Sequence, residues 1–270
     1  MASILLIIAT IVVAGLAAVL AYLLSFSAAS SQPTILLVGP CNGGKTALFT
    51  LLQFGKKSPT HTSQHPNTST SLTLTLADRT ARLVDLPGHP KLAHLFEAEL
   101  ALNTPKGLVF VIDSAALARP DAIRAVAEQL YALLVRLQKV KTAVPVLIAC
   151  NKSDLFTALP APRVKTLLEA EIEKIRKARS AEISLAEGED DEDKELLGWE
   201  GEDFKFAMLE GMEVDVVSGS VDKNDVQAWK DWMAERICVE PATRYTPQHM
   251  RQHAKKVQAL PPPSSLWILF

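Results

Sequence analysis

The chain has 270 residues, and its 28 basic and 30 acidic residues give a formal net charge of −2. A balanced charge provides no global field that favours nucleic acid or an acidic substrate, so direct nucleic-acid binding is not expected. The three cysteines, Cys41, Cys150 and Cys238, are odd in number and far apart. This pattern excludes a disulfide framework and a cysteine-based zinc site, and it favours a reducing compartment.

An uncharged apolar stretch runs from Ile4 to Phe26 near the start of the sequence. As a helix rising about 1.5 Å per residue, it would span roughly 35 Å, which is enough to cross a bilayer core. We therefore predict one transmembrane helix. A cleaved signal peptide stays open as the alternative, because Ala28 and Ala29 could form a cleavage site. Against it, the basic n-region is absent and the apolar run is longer than a typical h-region.

Apolar runs alternate with helical patterns along most of the remaining chain. Strands are predicted at 34–39 (TILLVG), in a hairpin over 70–88, and at 107–113 (GLVFVID), 144–150 (VPVLIAC) and 212–219 (MEVDVVSG). Helices are predicted over 45–54, 91–102, 120–139, 163–181 and 222–237. A polar loop is expected between the first helix and Ser71. This alternation predicts an α/β fold in which helices cover both faces of a mostly parallel, doubly wound sheet.

The segment after the first strand fits the phosphate-loop pattern G-x-x-x-x-G-K-[ST], placed between a strand and a helix. Glycines let such a loop curl so that backbone N–H groups face an anion. Lys45 would add a positive charge, and the Thr46 hydroxyl could ligate Mg²⁺. Nucleotide contacts are accordingly predicted for the whole loop: Gly39, Pro40, Cys41, Asn42, Gly43, Gly44, Lys45, Thr46 and Ala47.

Asn151-Lys152-Ser153-Asp154, which follows the strand at 144–150, indicates which base is bound. The Asp154 carboxylate can accept hydrogen bonds from N1–H and the exocyclic amine of guanine, whereas adenine would leave that charge unpaired. Asn151 would brace the phosphate loop, and the stem of Lys152 would lie along the base. GTP and GDP are therefore the predicted ligands. Backbone N–H contacts to the guanine oxygen are predicted from Ser218, Gly219 and Ser220.

Asp85-Leu86-Pro87-Gly88 ends the second strand of the predicted hairpin. There the Asp85 carboxylate can hold Mg²⁺ through a bound water, and the N–H of Gly88 can reach the γ-phosphate. On its own this tetrapeptide reads as an ordinary turn. Together with the phosphate loop and the base motif, it predicts a nucleotide-sensing switch.

These motifs, in this order, resemble the small GTPase superfamily. The phrases LVDLPGHPKL, KGLVFVIDS, LIACNKSDLFTA and DFKFAMLEG resemble, within its Arf/Sar-like branch, the family of signal recognition particle receptor β subunits. The resemblance implies a GTPase domain that faces the cytosol from the endoplasmic reticulum membrane. In its GTP form that domain would hold the amino-terminal domain of the receptor's α subunit. A contact with the ribosome or the translocon stays open.

The resemblance also implies two further site residues. Thr60, which follows Pro59, matches the second Mg²⁺-ligating hydroxyl, although Thr62, Thr68 and Thr70 stay open as alternatives. His89 stands where Ras-like proteins place the glutamine that orients the attacking water, and packing or partner contact is its alternative role. No arginine beside the motifs is predicted to act in cis, so intrinsic GTP hydrolysis is expected to be weak.

The predicted organisation has one membrane helix and one folded domain. Its parts are a transmembrane helix at 4–26, a linker at 27–33, a GTPase domain at 34–240 with an acidic insertion at about 182–203, and a tail at 241–270. Two other functions stay open: a structural anchor that keeps GTP bound, and an Arf/Sar-like trafficking GTPase. Members of the second class attach through a lipidated amphipathic helix, and Ala2 excludes myristoylation.

Overall fold

A six-stranded sheet lies at the centre of the computed structural model. The structure describes residues 15, 32–74, 80–140, 143–185, 197–198, 202–209 and 211–238. The strands are β1 (Thr34–Val38), β2 (Asn67–Leu72), β3 (Ala81–Asp85), β4 (Gly107–Asp113), β5 (Val146–Asn151) and β6 (Val214–Ser218). Their order is β2-β3-β1-β4-β5-β6, and every neighbouring pair is parallel except β2 with β3. The predicted α/β fold with a mostly parallel sheet is confirmed.

Helices cover both faces of this sheet. They are α1 (Lys45–Phe54), α2 (His94–Leu102), α3 (Pro120–Gln138), α4 (Ala161–Leu185) and α5 (Gln227–Cys238). Because side chains alternate along a strand, β1 contributes to two separate cores. Leu36 faces the cluster that includes α3 and α4, whereas Leu37 faces the cluster that includes α1 and α5. Burial on both faces explains why β1, β4 and β5 read as continuous apolar runs.

Strand β2 differs from its prediction. It begins at Asn67, within the predicted polar loop, and its pairing with β3 ends at Leu72, where Leu72 lies opposite Ala81. The strand lies at the sheet edge and half of its side chains are exposed, so threonine and serine are compatible with it. The predicted antiparallel pairing is confirmed, but its first strand starts earlier than predicted.

Three helix starts also differ from their predictions, and α4, predicted from residue 163, already begins at Ala161. The helix predicted from residue 91 begins at His94, after a 3₁₀ turn over Pro90–Leu92 that is capped by the His89 side chain. The last helix begins at Gln227 rather than at residue 222. Before it, Ser220 and Asp225 pair through two backbone hydrogen bonds of 2.9 and 2.8 Å, which hold the intervening residues in a turn.

Residues 204–208 are held against α4 by two carboxylates. Glu169 accepts the backbone N–H of Phe206 at 3.1 Å, and Glu173 accepts that of Phe204 at 3.0 Å. Glu169 and both phenylalanines are buried. Residues 204–208 therefore have a defined place on α4, and this helix continues past its predicted end at residue 181.

Several predicted segments lie outside the described residues. They are the membrane helix at 4–26 apart from Gly15, most of the linker, most of the acidic insertion and the tail at 241–270. In the part of the chain that the structure describes, no helix combines the length and apolar character needed to span a bilayer.

Candidate nucleotide-binding site

A cavity of about 930 Å³ opens at the carboxyl ends of the central strands. It is lined by residues 40–42 and 44–47 after β1, residues 60–63, residues 86–88 after β3, and the first turns of α3. Strand order reverses between β1 and β4, and ligands of open α/β sheets bind at such a point. The cavity therefore has the location and the size expected of a small-molecule site.

The loop between β1 and α1 is curled tightly over β4. Gly39 and Gly44 have φ angles of 128° and 99°, which side-chain-bearing residues rarely adopt. A Cβ on Gly39 or on Gly43 would lie 2.5 Å from the carbonyl oxygen of Val111, and one on Gly44 would lie 2.2 Å from Nδ2 of Asn151. Only glycine fits these positions, so glycine allows the loop to pack this closely against β4 and Asn151.

Lys45 lies inside this curl. Its side chain is buried, and its Nζ donates to the carbonyl oxygen of Pro40 at 2.7 Å. Burial lowers the pKa of Lys45, and the Asp85 carboxylate partly opposes that shift. A buried ammonium group with a lowered pKa is stabilised by any anion placed next to it. A phosphate group is such an anion.

Asp85 lies at the end of β3, next to the loop. Its Oδ2 accepts hydrogen bonds from the Thr46 hydroxyl at 2.7 Å and from Nδ2 of Asn67 at 2.9 Å. Its Oδ1 is buried and has no hydrogen-bond partner among the described residues. Burial raises the pKa of Asp85, opposed by the hydrogen bonds from Asn67 and Thr46 and by Lys45. A hard cation or its bound water would satisfy the remaining oxygen, so these oxygen donors fit Mg²⁺.

The structure distinguishes the hydroxyls that were considered for the second metal ligand. Thr60 and Thr62 both line the cavity. Thr68 and Thr70 lie in β2 and are exposed. The hydroxyl in contact with Thr46 is that of Ser63, at 3.0 Å. Ser63 thus joins Thr60 as a hydroxyl that could act at the metal position.

Asn151, at the end of β5, connects the phosphate loop with the base motif. It is 3% exposed, and its Nδ2 donates to the carbonyl oxygen of Gly43 at 2.9 Å. Its Oδ1 accepts the backbone N–H groups of Lys152 at 2.8 Å and Val221 at 3.0 Å. One buried amide therefore joins the phosphate loop to the loops that follow β5 and β6.

Asp154 lies at the surface beside the loop that follows β6. The Ser220 hydroxyl donates to its Oδ1 at 2.5 Å, and this hydrogen bond lowers the pKa of Asp154. The carboxylate is therefore ionised at neutral pH and oriented by Ser220. Guanine offers two N–H donors to such a group.

The backbone donors predicted after β6 are largely occupied in the structure. The N–H of Gly219 donates to the carbonyl oxygen of Cys150 at 2.9 Å, and that of Ser220 donates to Asp225 at 2.9 Å. The Ser218 hydroxyl accepts the N–H of Ala161 at 3.2 Å. Through its side chain, Ser220 acts on Asp154 instead. The predicted backbone contacts from these residues to guanine stay predictions.

The chain is similar in sequence to known proteins. A sequence model described as the signal recognition particle receptor beta subunit matches residues 30–214. The signal recognition particle receptor subunit beta of Saccharomyces cerevisiae is 36% identical over 219 residues, which cover 77% of this chain and 86% of the yeast protein. This chain belongs to the signal recognition particle receptor β-subunit family.

Solved structures of this family have the same fold. The SRb-GTP/SRX complex from Chaetomium thermophilum matches with 35% identity and a TM-score of 0.59, covering 76% of this chain and 99% of that one. The SRb-GDP-Mg structure from the same organism matches with 36% identity and a TM-score of 0.59, covering 76% of this chain and 98% of that one.

In this member of the β-subunit family, Gly88 packs against the phosphate loop. A Cβ there would lie 2.5 Å from the carbonyl oxygen of Gly39 and 2.6 Å from Nζ of Lys45. His89, the next residue, is exposed, and its Nδ1 accepts the N–H of Lys91 at 3.2 Å. This contact occupies Nδ1, so Nε2 is the ring nitrogen left to contact other groups. The predicted role of His89 in orienting water stays a prediction.

Sequence reasoning missed three polar residues of the site. Ser63 and Asn67 lie in the segment predicted as a polar loop. The Ser63 hydroxyl contacts that of Thr46, Nδ2 of Asn67 donates to Asp85, and Ser63 and Asn67 are hydrogen-bonded to each other. Asp113, at the end of β4, binds Nζ of Lys152 at 2.5 Å. The presence of Asp113 in the site could have been predicted, because the carboxyl end of a central parallel strand faces the ligand-binding crevice of an open α/β sheet.

Proposed function

We propose that this chain is the membrane-anchored, GTP-binding subunit of a signal recognition particle receptor. In this role it docks the receptor's α subunit at the endoplasmic reticulum membrane during co-translational protein targeting. One observation carries the proposal. The buried Asn151 amide joins the phosphate loop, which contains Lys45 and Thr46, to the loop after β6, where Ser220 holds a carboxylate, Asp154, that suits guanine.

The bound nucleotide is GTP or GDP, held at its phosphate and base ends by different residues. The polyphosphate lies against the loop 39–47, and Gly88 offers its N–H to the terminal phosphate. Asp154 accepts from guanine, Lys152 lies along the ring, and Asn151 braces both. Family members with GTP and with GDP and Mg support this assignment. The loop after β6 completes the base side through Ser218, Gly219 and Ser220.

Mg²⁺ accompanies the nucleotide. Thr46 would supply one hydroxyl ligand, Thr60 or Ser63 the second, and Asp85 would bind through water. When bound, the ion neutralises charge on the phosphate oxygens. Oδ1 of Asp85, which has no partner among the described residues, supports this assignment, because a buried acceptor without a donor is costly unless a cation or its water reaches it.

Membrane attachment is assigned to the amino-terminal apolar stretch as a single transmembrane helix over 4–26. The linker at 27–33 then leads to a GTPase domain over 34–240, with the acidic insertion at about 182–203 and the tail at 241–270. With the amino terminus in the lumen, the GTPase domain lies in the cytosol, where GTP and Mg²⁺ are available. The uncharged 4–26 stretch supports this topology.

The partner is the amino-terminal domain of the receptor's α subunit. A family member solved as an SRb-GTP/SRX complex supports a partner bound in the GTP form. Intrinsic hydrolysis is slow, with His89 as the residue that contacts the attacking water. The alternative is an anchor that keeps GTP bound and never hydrolyses it. The buried Asn151, which is bonded to the phosphate loop and to the loop after β6, would suit tight retention of the nucleotide.

The test is nucleotide-dependent retention of the partner. Full-length chain in detergent is immobilised, loaded with Mg²⁺ and GTP or GDP, and incubated with the α subunit's amino-terminal domain. We expect retention with GTP and little with GDP. Equal retention with both nucleotides contradicts the switch, and single-turnover GTP hydrolysis with the partner present then decides whether the chain is a constitutive anchor.

A further inference from the structure

Arg119 is the residue immediately before α3. It lines the same cavity as Lys45, Thr46 and Gly88. It is exposed. Among the described residues, no hydrogen-bond or ion-pair partner of its guanidinium group is seen. Arginine is always charged at physiological pH, so this group requires either solvent or an anion.

Helix stability does not explain an arginine at this position. The amino terminus of a helix carries a partial positive charge, which favours acidic residues and disfavours cations. The first turn of α3 follows that rule with Asp121, but Arg119 departs from it. A cation held against the helix dipole is stabilised when an anion lies nearby, so the position is suited to a negatively charged ligand in the cavity.

The backbone of Arg119 is firmly placed. Its N–H donates to the carbonyl oxygen of Ala116 at 3.2 Å, and its own carbonyl oxygen accepts from Ala122 at 3.1 Å and from Ile123 at 3.2 Å. Pro120 follows as the first helical residue. The backbone of Arg119 is therefore already ordered. Binding of an anion in the cavity would require only the side chain to become ordered.

The charges that line the cavity indicate which group of a nucleotide this residue meets. Lys152 is already paired with Asp113 at 2.5 Å. Lys45 and Gly88 line the same cavity, and among its described lining residues Arg119 is the only arginine. A guanidinium matches the geometry of phosphate oxygens and can bind two of them at once.

We infer that Arg119 contacts the terminal phosphate of bound GTP and so favours the triphosphate over the diphosphate. This inference rests on the proposed function, since it requires that the cavity binds guanine nucleotides. Arg119 would then be an arginine of this same chain that acts on the phosphates, which the sequence motifs did not predict. Arg119 is then a specificity-determining contact for the nucleotide state that binds the partner.

The experiment compares Arg119→Ala and Arg119→Lys with wild type, using equilibrium binding of fluorescent GTP and GDP to the full-length chain in detergent. Arg124→Ala is the matched control, because Arg124 is an exposed arginine on the same helix that pairs with Glu128 at 3.0 Å. Arg119→Ala is expected to lower GTP affinity about tenfold, the loss of one charge-assisted hydrogen bond, and GDP affinity less than about twofold.

Arg119→Lys is expected to fall between wild type and the alanine variant, and Arg124→Ala to match wild type. Arg119→Ala should also weaken the complex of GDP with aluminium fluoride, which occupies the terminal-phosphate position. Unchanged GTP affinity, or equal losses for GTP and GDP, overturns the inference while leaving the proposed function intact. Wild-type chain that binds neither nucleotide overturns both.

Discussion

Replacing Asn151 by alanine tests the bracing role of the one buried amide that joins three loops. The side chain is 3% exposed and makes hydrogen bonds of 2.9, 2.8 and 3.0 Å to backbone groups of Gly43, Lys152 and Val221. Asn151→Ala removes all three bonds and leaves those backbone groups to find other partners. We expect both a less stable domain and a looser nucleotide site.

The size of the stability loss follows from the number of backbone groups left unpaired. Each buried group without a partner costs about 1–3 kcal/mol, and partial relaxation makes about 4 kcal/mol a reasonable total. For a domain of roughly 200 residues, each kcal/mol lowers the Tm by about 2–4 °C. Asn151→Ala should therefore lower the Tm of the nucleotide-free chain by about 8–16 °C.

The assay is thermal unfolding of wild type, Asn151→Ala and Gln138→Ala, with and without Mg²⁺ and GDP. Gln138 is the control because it is an exposed amide side chain at the end of α3, away from the cavity. The stabilisation that GDP confers should also shrink in Asn151→Ala, since affinity and stabilisation are linked. A Tm within 3 °C of wild type, or an undiminished effect of GDP, would refute the bracing role.

Three further predictions concern single positions of the site. Asp154→Asn should lower GTP affinity by about 100-fold and favour XTP, because xanthine carries a carbonyl where guanine has an amine; competition binding that still prefers GTP contradicts the base assignment. Gly88→Ala should weaken GTP more than GDP in the same assay, since its Cβ would lie 2.6 Å from Nζ of Lys45. Iodoacetamide at pH 8 should label exposed Cys41 more slowly when GDP is bound, as measured by mass spectrometry. It should spare Cys150, because burial raises the pKa of that thiol to about 12; labelling of native Cys150 would contradict its burial.

Much of the fold could be predicted because its information is local. β1, β4 and β5 are buried on both faces, so their sequences are apolar runs that stand out from the polar segments around them. The phosphate loop is equally local, since Gly39, Lys45 and Thr46 belong to one short segment. The base motif could be recognised from its four residues and from their position after β5.

The rest depends on contacts between segments that are distant in sequence. β2 is a polar edge strand, and its start at Asn67 is defined by pairing with Asp85 across the sheet. Ser63 has no motif of its own and is recognised only by its contact with Thr46. Arg119 reaches the cavity because β4 lies next to β1, which is a property of strand order and not of local pattern.

The carboxylates that hold residues 204–208 on α4 have a consequence for chain length. Glu169 and Glu173 fix residues 204–206 on α4, and these contacts do not depend on how many residues precede them. Closing a longer flexible loop costs only about 0.6 kcal/mol more for each doubling of its length. A fluorescent protein could therefore be spliced into the acidic stretch at 189–192 while guanine recognition is preserved, giving a tracer for following the receptor in living cells.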